Sequence, residues 1–163
     1  MITLKFGGTS MANARRILSS ADIIINSAKE DRLSVIVSAV AGVSNNLQSA
    51  IDACTTGIPY INYVEDLRKI HSDICSELQS KCEGFNADKV MEKINPLFEE
   101  LEKLLAGCVS FGECPSTVHC RIMGMGELLS SPIMEAVLLA KGMSVILLDS
   151  RKFVFTTGNQ LEG

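Results

Sequence analysis

The feature that most restricts the fold of this chain is the order strand, glycine pair, helix, strand inside its first 37 residues. Ile2 to Phe6 is a short apolar run that stops at Gly7-Gly8. From Ala14 the residues Ile17, Leu18, Ala21, Ile24, Ile25 and Ala28 recur at helical spacing, with Ser10 or Asn13 as N-cap. Leu33 to Val37 is a second β-branched run, of the length of a buried parallel strand. Two such strands joined through a helix make a βαβ unit with a right-handed crossover. The expectation is an α/β protein with a mostly parallel sheet.

The rest of the chain is mainly helical in pattern. Ser38-Ala-Val-Ala-Gly-Val-Ser-Asn is a loop of small residues, followed by a helix from about Leu47 to Cys54. Ile61, Val64, Leu67, Ile70, Ile74 and Leu78 mark one helix, and Val90, Ile94, Phe98, Leu101 and Leu105 a second that Gly107 closes. Together they predict an αα-hairpin inserted at about 60–107, either as ordinary core helices or as a mobile lid. A third helical stretch runs from about Thr117 to Lys141. Pro132 predicts a break in it just after Glu127, because proline cannot donate to the carbonyl of Leu128. Ser144 to Leu148 reads as a third strand and Phe153 to Thr157 as a weak edge strand. Three or four strands are few for a sheet that must be covered on both faces. The 163 residues are therefore expected to be the first part of a larger α/β domain.

Composition removes several partners. The net charge is −4 and no Lys/Arg cluster occurs, so nucleic acid and anionic lipid are set aside. The longest apolar stretches, 34–43 and 143–148, are shorter than the ~18 residues of a membrane helix, and no signal-peptide pattern opens the chain. The six cysteines include no Cys-x-x-Cys pair, and Cys108, Cys114 and Cys120 recur every six residues, which is not a zinc spacing. His119 beside Cys120 would be half a metal site at most. Small, reduced core thiols are the better reading, and with them a cytoplasmic location and no metal held by the protein.

Three segments carry candidate chemistry. Lys5-Phe6-Gly7-Gly8-Thr9-Ser10 lies between a strand end and a helix start, where open α/β sheets bind ligands. Glycines there let backbone N–H groups approach an anion, and Lys5 adds a compact cation. Neither standard nucleotide fingerprint is present, so a tight turn and a phosphate loop both remain open. Ser38 and Ser44-Asn45 follow the second strand, either as ligand hydroxyls or as turn and capping groups. Glu127, in Met-Gly-Met-Gly-Glu, is either solvated or held for a cationic partner.

Taken in order, Lys-Phe-Gly-Gly-Thr-Ser, Ser38-Ala-x-Ala-Gly-x-Ser-Asn and Gly126-Glu127 resemble the aspartate kinases of the amino-acid kinase superfamily. Asn13-Ala-Arg-Arg and Phe111-Gly-Glu-Cys-Pro are most similar to the bifunctional aspartokinase–homoserine dehydrogenases. The resemblance implies a three-layer αβα sandwich of the amino-acid kinase type, incomplete here. It implies that Lys5, Phe6, Gly7, Gly8 and Ser10 bind the phosphates of ATP, Lys5 being catalytic. Ser38, Ser44 and Glu127 would surround L-aspartate. Mg²⁺ would be held through the phosphates. Position 44 is often Thr in the family, and Ser keeps the hydroxyl. Pro132 departs from the pattern, and the family's later Thr-Thr-Leu-Gly-Arg-Gly-Gly-Ser-Asp segment has no counterpart.

The implied reaction is ATP-dependent phosphorylation of the aspartate side chain to 4-phospho-L-aspartate, the entry to threonine, lysine and methionine synthesis. The chain is then expected to be the N-terminal part of the kinase domain, without its C-terminal nucleotide half or any regulatory domain. Alone it is expected to be inactive, and the full-length protein to be a homo-oligomer. A non-catalytic nucleotide or small-ligand module is the alternative from a different class, and a self-associating structural piece is a third.

Overall fold

The computed structural model describes residues 1–154, and these form two strands and six α-helices. Strands β1 (Ile2–Phe6) and β2 (Leu33–Val37) pair in parallel, Ile2 opposite Leu33 and Phe6 opposite Val37. Between them runs α1 (Ala14–Ser27), whose N-cap is Asn13: its side chain accepts the N–H of Arg16 at 3.0 Å. Ser10 belongs instead to a 3-10 turn, Gly8–Met11, that precedes the cap.

Helix α2 (Val43–Thr56) starts four residues earlier than its apolar spacing suggests. Gly42, at φ 85°, turns the chain left-handed and lets the helix begin at Val43, which is fully buried. Ser44 consequently lies in the first turn of a helix rather than in a loop. The predicted hairpin is present as α3 (Ile61–Lys81) packed on α4 (Ala87–Phe111). Gly107 does not close α4. The helix runs on to Phe111, burying Cys108, and stops at Gly112, which has φ 71°. Helix α4 also packs on α2 and on α6, so the hairpin is part of the core. Ile94, Phe98, Leu101 and Leu105 are completely enclosed there.

The last long helical stretch divides into α5 (Ser116–Met123) and α6 (Met125–Ala140). The break falls at Gly124, not after Glu127, and Pro132 sits inside α6. Leu129, Ile133 and Val137 are buried on both sides of the proline, and this packing carries the helix past the bond it cannot make. The span Ser116–Ala140 is apolar and long enough to cross a membrane, yet more than half of its most apolar 18 residues are buried inside the protein. Its second part, α6, is a core helix.

The sheet departs from expectation most. Residues 144–148 form no strand, and Phe153 and Val154 belong to none; 155–157 lie outside the described residues. Met143 and Val145 touch the core while Ile146 and Leu148 are 85% and 68% exposed, an alternation suited to a strand. A strand exists only through backbone pairing, and this segment makes none. Helices α1 and α6 contact β2, and Leu4, Phe6, Leu33, Val35 and Val37 face the core. The opposite face, with Thr3, Lys5 and a half-exposed Ile36, is uncovered. Among the described residues the protein is α/β, with helices on one face of a small parallel sheet.

Candidate active site at the rim of the sheet

Three segments meet where the two strands end. The first is Gly7-Gly8. A Cβ on Gly7 would stand 3.7 Å from Lys5 Nζ, so the ammonium is folded over the start of the glycine loop. A Cβ on Gly8 would come within 3.3 Å of the Ala39 carbonyl oxygen and 3.6 Å of Ala41 Cα, so this loop lies against the one after β2. Ser10 N–H donates to Gly7 O at 2.9 Å, which rolls the loop into the 3-10 turn. Ser20 Oγ donates to Ser10 O at 3.1 Å and fastens that turn to α1. Phe6 points its ring into the core, and only its backbone reaches the rim.

The second segment is Ser38-Ala39. Ser38 N–H donates to Phe6 O at 2.9 Å, the last rung between the strands. The third is the start of α6. Gly126 is there because nothing larger fits: a Cβ would stand 2.7 Å from Ala39 Cβ. That close approach brings Glu127 to the loop, where its Oε1 accepts the N–H of Ala39 at 3.3 Å. One carboxylate oxygen is engaged by the backbone, and the rest of this largely exposed side chain faces outward.

The structure thus brings Lys5, Gly7, Gly8, Ser38 and Glu127 to one rim, with Ser10 beside them in the turn. Ser44 stands exposed at the far end of the same 38–42 loop. Chemically the rim joins a cation and a glycine loop suited to an anion with, on a neighbouring segment, a carboxylate suited to a cation. It is an open ledge. Two hollows of the surface lie elsewhere, one along Asn13, Arg15, Arg16 and Ser19, another between Leu104, Phe111, Pro115 and Val118.

Sequence reasoning passed over Ala39, whose N–H fixes Glu127, and Ser130, whose hydroxyl reaches Ser38 O at 2.8 Å. The available signal was spacing, since Glu127 and Ser130 are three apart on one helix and share a face. The cysteines stay out of the chemistry. All six are free thiols, and burial pushes Cys54 and Cys75 up to about 11. His119 Nε2 lies 2.9 Å from Gln48 Oε1 and is thus accounted for. Among the described residues no three His, Cys, Asp or Glu side chains are grouped to hold a metal ion.

Known proteins resemble this chain in sequence and fold. The bifunctional aspartokinase/homoserine dehydrogenase of Buchnera aphidicola is 28% identical over 159 residues, 98% of this chain and 20% of the relative. The aspartokinase of Chlamydia pneumoniae is 30% identical over 158 residues, 95% of this chain and 31% of the relative. Escherichia coli aspartokinase III, solved in complex with aspartate and ADP (R-state), superposes with a TM-score of 0.71 at 25% identity, over 87% of this chain and 30% of that one. The chain therefore spans between a fifth and a third of the length of these proteins. The amino acid kinase family matches this sequence over residues 1–162, and the chain belongs to that family.

Proposed function

We propose that this chain is the N-terminal part of an aspartate kinase domain, which transfers the γ-phosphoryl group of ATP to the side-chain carboxylate of L-aspartate. The observation that carries the reading is the meeting of Lys5 and Gly7-Gly8 with the Ser38-Ala39 loop and Glu127 at one strand end. Aspartokinase relatives along nearly the whole chain support it.

The nucleophile in this reaction has a free pKa of about 3.9 and is ionised at neutral pH. No general base is needed. The chemical difficulty is repulsion between an anionic acceptor and a polyanionic donor. Lys5 answers it with a positive charge over the glycine loop, and the loop's small residues admit phosphate oxygens to backbone N–H groups. Mg²⁺ would add charge neutralisation from the nucleotide side, held through the phosphates. Glu127 orients the acceptor. Its outward carboxylate faces the only cation aspartate carries, the α-ammonium, while Ser38 and Ser44 offer hydroxyls to the substrate.

Two further parts of the proposal concern the whole enzyme. The complete protein is a cytoplasmic homo-oligomer. The 163 residues alone do not turn over, because the rest of the nucleotide site lies in the remaining length; steady-state activity of the purified monomeric chain would contradict this.

The decisive variant is Glu127→Gln in the complete enzyme. Glutamine keeps an acceptor for the Ala39 N–H and loses only the charge. Aspartate binding should weaken by about 1.5–3 kcal/mol, the range for hydrogen bonds to charged groups, with Kd for ATP nearly unchanged. An unchanged KM for aspartate together with a lowered melting temperature would make Glu127 a structural group. Aspartyl phosphate, trapped with hydroxylamine, separates a kinase from a module that only binds nucleotide.

A further inference from the structure

We propose that Ser130 is a positioning residue for the acceptor side of the site, setting the Ser38-Ala39 loop from beneath. The inference rests on the aspartate kinase reading above and adds to it a residue that never touches substrate.

Parallel pairing between β1 and β2 ends when Ser38 N–H donates to Phe6 O. To extend the ladder, the Ser38 carbonyl would next accept an N–H from β1, from Gly8. The glycine loop has already turned away into its 3-10 turn, and the carbonyl is taken from the other side by Ser130 Oγ at 2.8 Å. Ser130 is completely buried on α6, one turn after Glu127. Its hydroxyl has one hydrogen. The longer contact to Glu127 O at 3.2 Å is the usual back-bond of a serine to its own helix, and the shorter one to Ser38 is the one that matters.

Residues 38 and 39 are consequently gripped at three points by one face of α6. Ser130 holds the Ser38 carbonyl, Glu127 holds the Ala39 N–H, and Gly126 lets the Ala39 methyl close to contact. The first grip differs from the others. Its donor, Ser130, is completely enclosed, whereas Glu127 is exposed, and it acts on the residue whose side-chain hydroxyl the proposed function assigns to the acceptor. A carbonyl that loses the enclosed donor beneath it pulls its peptide toward another donor, which rotates Ser38 and shifts Ala39 against Gly8. Loss of the Ser130 hydroxyl should therefore disturb the aim of the acceptor more than the binding of nucleotide.

The test uses the complete enzyme and four variants, Ser130→Ala, Ser130→Thr, Ser38→Ala and Ser38→Ala/Ser130→Ala. Ser130→Ala should raise KM for aspartate and lower kcat by roughly three- to tenfold each, with KM for ATP within twofold. Ser130→Thr, which keeps the donor, should recover most of the loss. If Ser130 acts through Ser38, the double variant should be little worse than Ser38→Ala alone. A lowered melting temperature with unchanged aspartate kinetics would overturn the proposal, as would additive losses in the double variant. Should Ser130→Ala fail to fold, Ser130→Cys, a weaker donor in the same place, takes its part, and an aspartate KM equal to that of the parent overturns the proposal equally. Failure of the functional reading looks different: neither Ser38→Ala nor Glu127→Gln would then change aspartate kinetics.

Discussion

In the helical half of the molecule, Ile94, Phe98, Leu101 and Leu105 of α4 are fully enclosed by α2, α3 and α6; at the sheet, Ile36 is half exposed and Thr3 and Lys5 lie open. The bundle is closed by its own helices, and its ion pairs, such as Arg68–Glu102 at 2.9 Å and Lys93–Glu135 at 2.7 Å, lie on its outside. The sheet has one face against α1 and α6 and nothing described on the other. Lys5, the glycine loop, Ser38 and Glu127 gather along this thinner side, at strand ends, with Ser44 farther off in the first turn of α2. The contrast separates two jobs. Apolar burial in the bundle supplies the stability that the rim, built from glycine, serine and isolated charges, does not.

The largest expected effect lies in the bundle. Phe98→Ala removes a completely buried ring that also carries Arg68 at 4.7 Å and His71 edge-on at 5.8 Å, and should cost about 3–5 kcal/mol in denaturant unfolding. Were the loss under about 1 kcal/mol, the bundle would not be the source of stability. Lys5→Ala probes the other side. In the complete enzyme kcat should fall by roughly 10²–10³, about 2.7–4 kcal/mol, while the melting temperature barely moves because the side chain is exposed. Retention of kcat within threefold would remove Lys5 from the chemistry. Lys5→Arg should rescue poorly, since a planar fork is a poor substitute for a point charge over a tight glycine turn.

Gly126→Ala tests the seam between the two regions. Its new methyl would meet Ala39 Cβ at 2.7 Å, so α6 or the loop must move, at about 1–3 kcal/mol of stability. Aspartate affinity should fall in the same variant. Loss of stability without loss of affinity would uncouple bundle from rim.

The smallest effect is one of pH. His71 is enclosed in the bundle with Nδ1 2.7 Å from Leu67 O and Nε2 without a partner, and burial lowers its pKa from 6.5. The sign follows from proton binding: below about 6.5 the unfolded chain takes up a proton that the folded one resists. Stability is thus complete above that value and declines as pH falls toward the folded pKa. Unfolding titrations between roughly pH 7 and 5 should show a slope attributable to this residue, and His71→Gln should reduce it. An unchanged slope would place the acid sensitivity elsewhere.

How much of this was legible in the sequence varied by region. The βαβ start was, because alternating and helical periods report which face is buried, and Asn13 was visible as a cap. The hairpin was also legible, for its two apolar stripes are long and regular. Helix ends were not. Gly107 and Pro132 are local signals that packing overrode, while Gly42 and Gly124 set the actual boundaries.

Lys5, Gly7-Gly8, Ser38 and Glu127 were identified as candidates by motif and family resemblance, each within its own segment. That Glu127 would reach the Ala39 N–H across 88 positions of chain could not be read from any of those segments. What the sequence by itself determined are the residue types, the secondary-structure periods and the kinship, all of which are carried by spacing along one strand or helix. What only the tertiary structure decided is which carbonyl Ser130 reaches, why position 126 must lack a Cβ, and that residues 144–148 form no strand. Those depend on distances between segments far apart in the chain, and such distances are fixed only when the core closes.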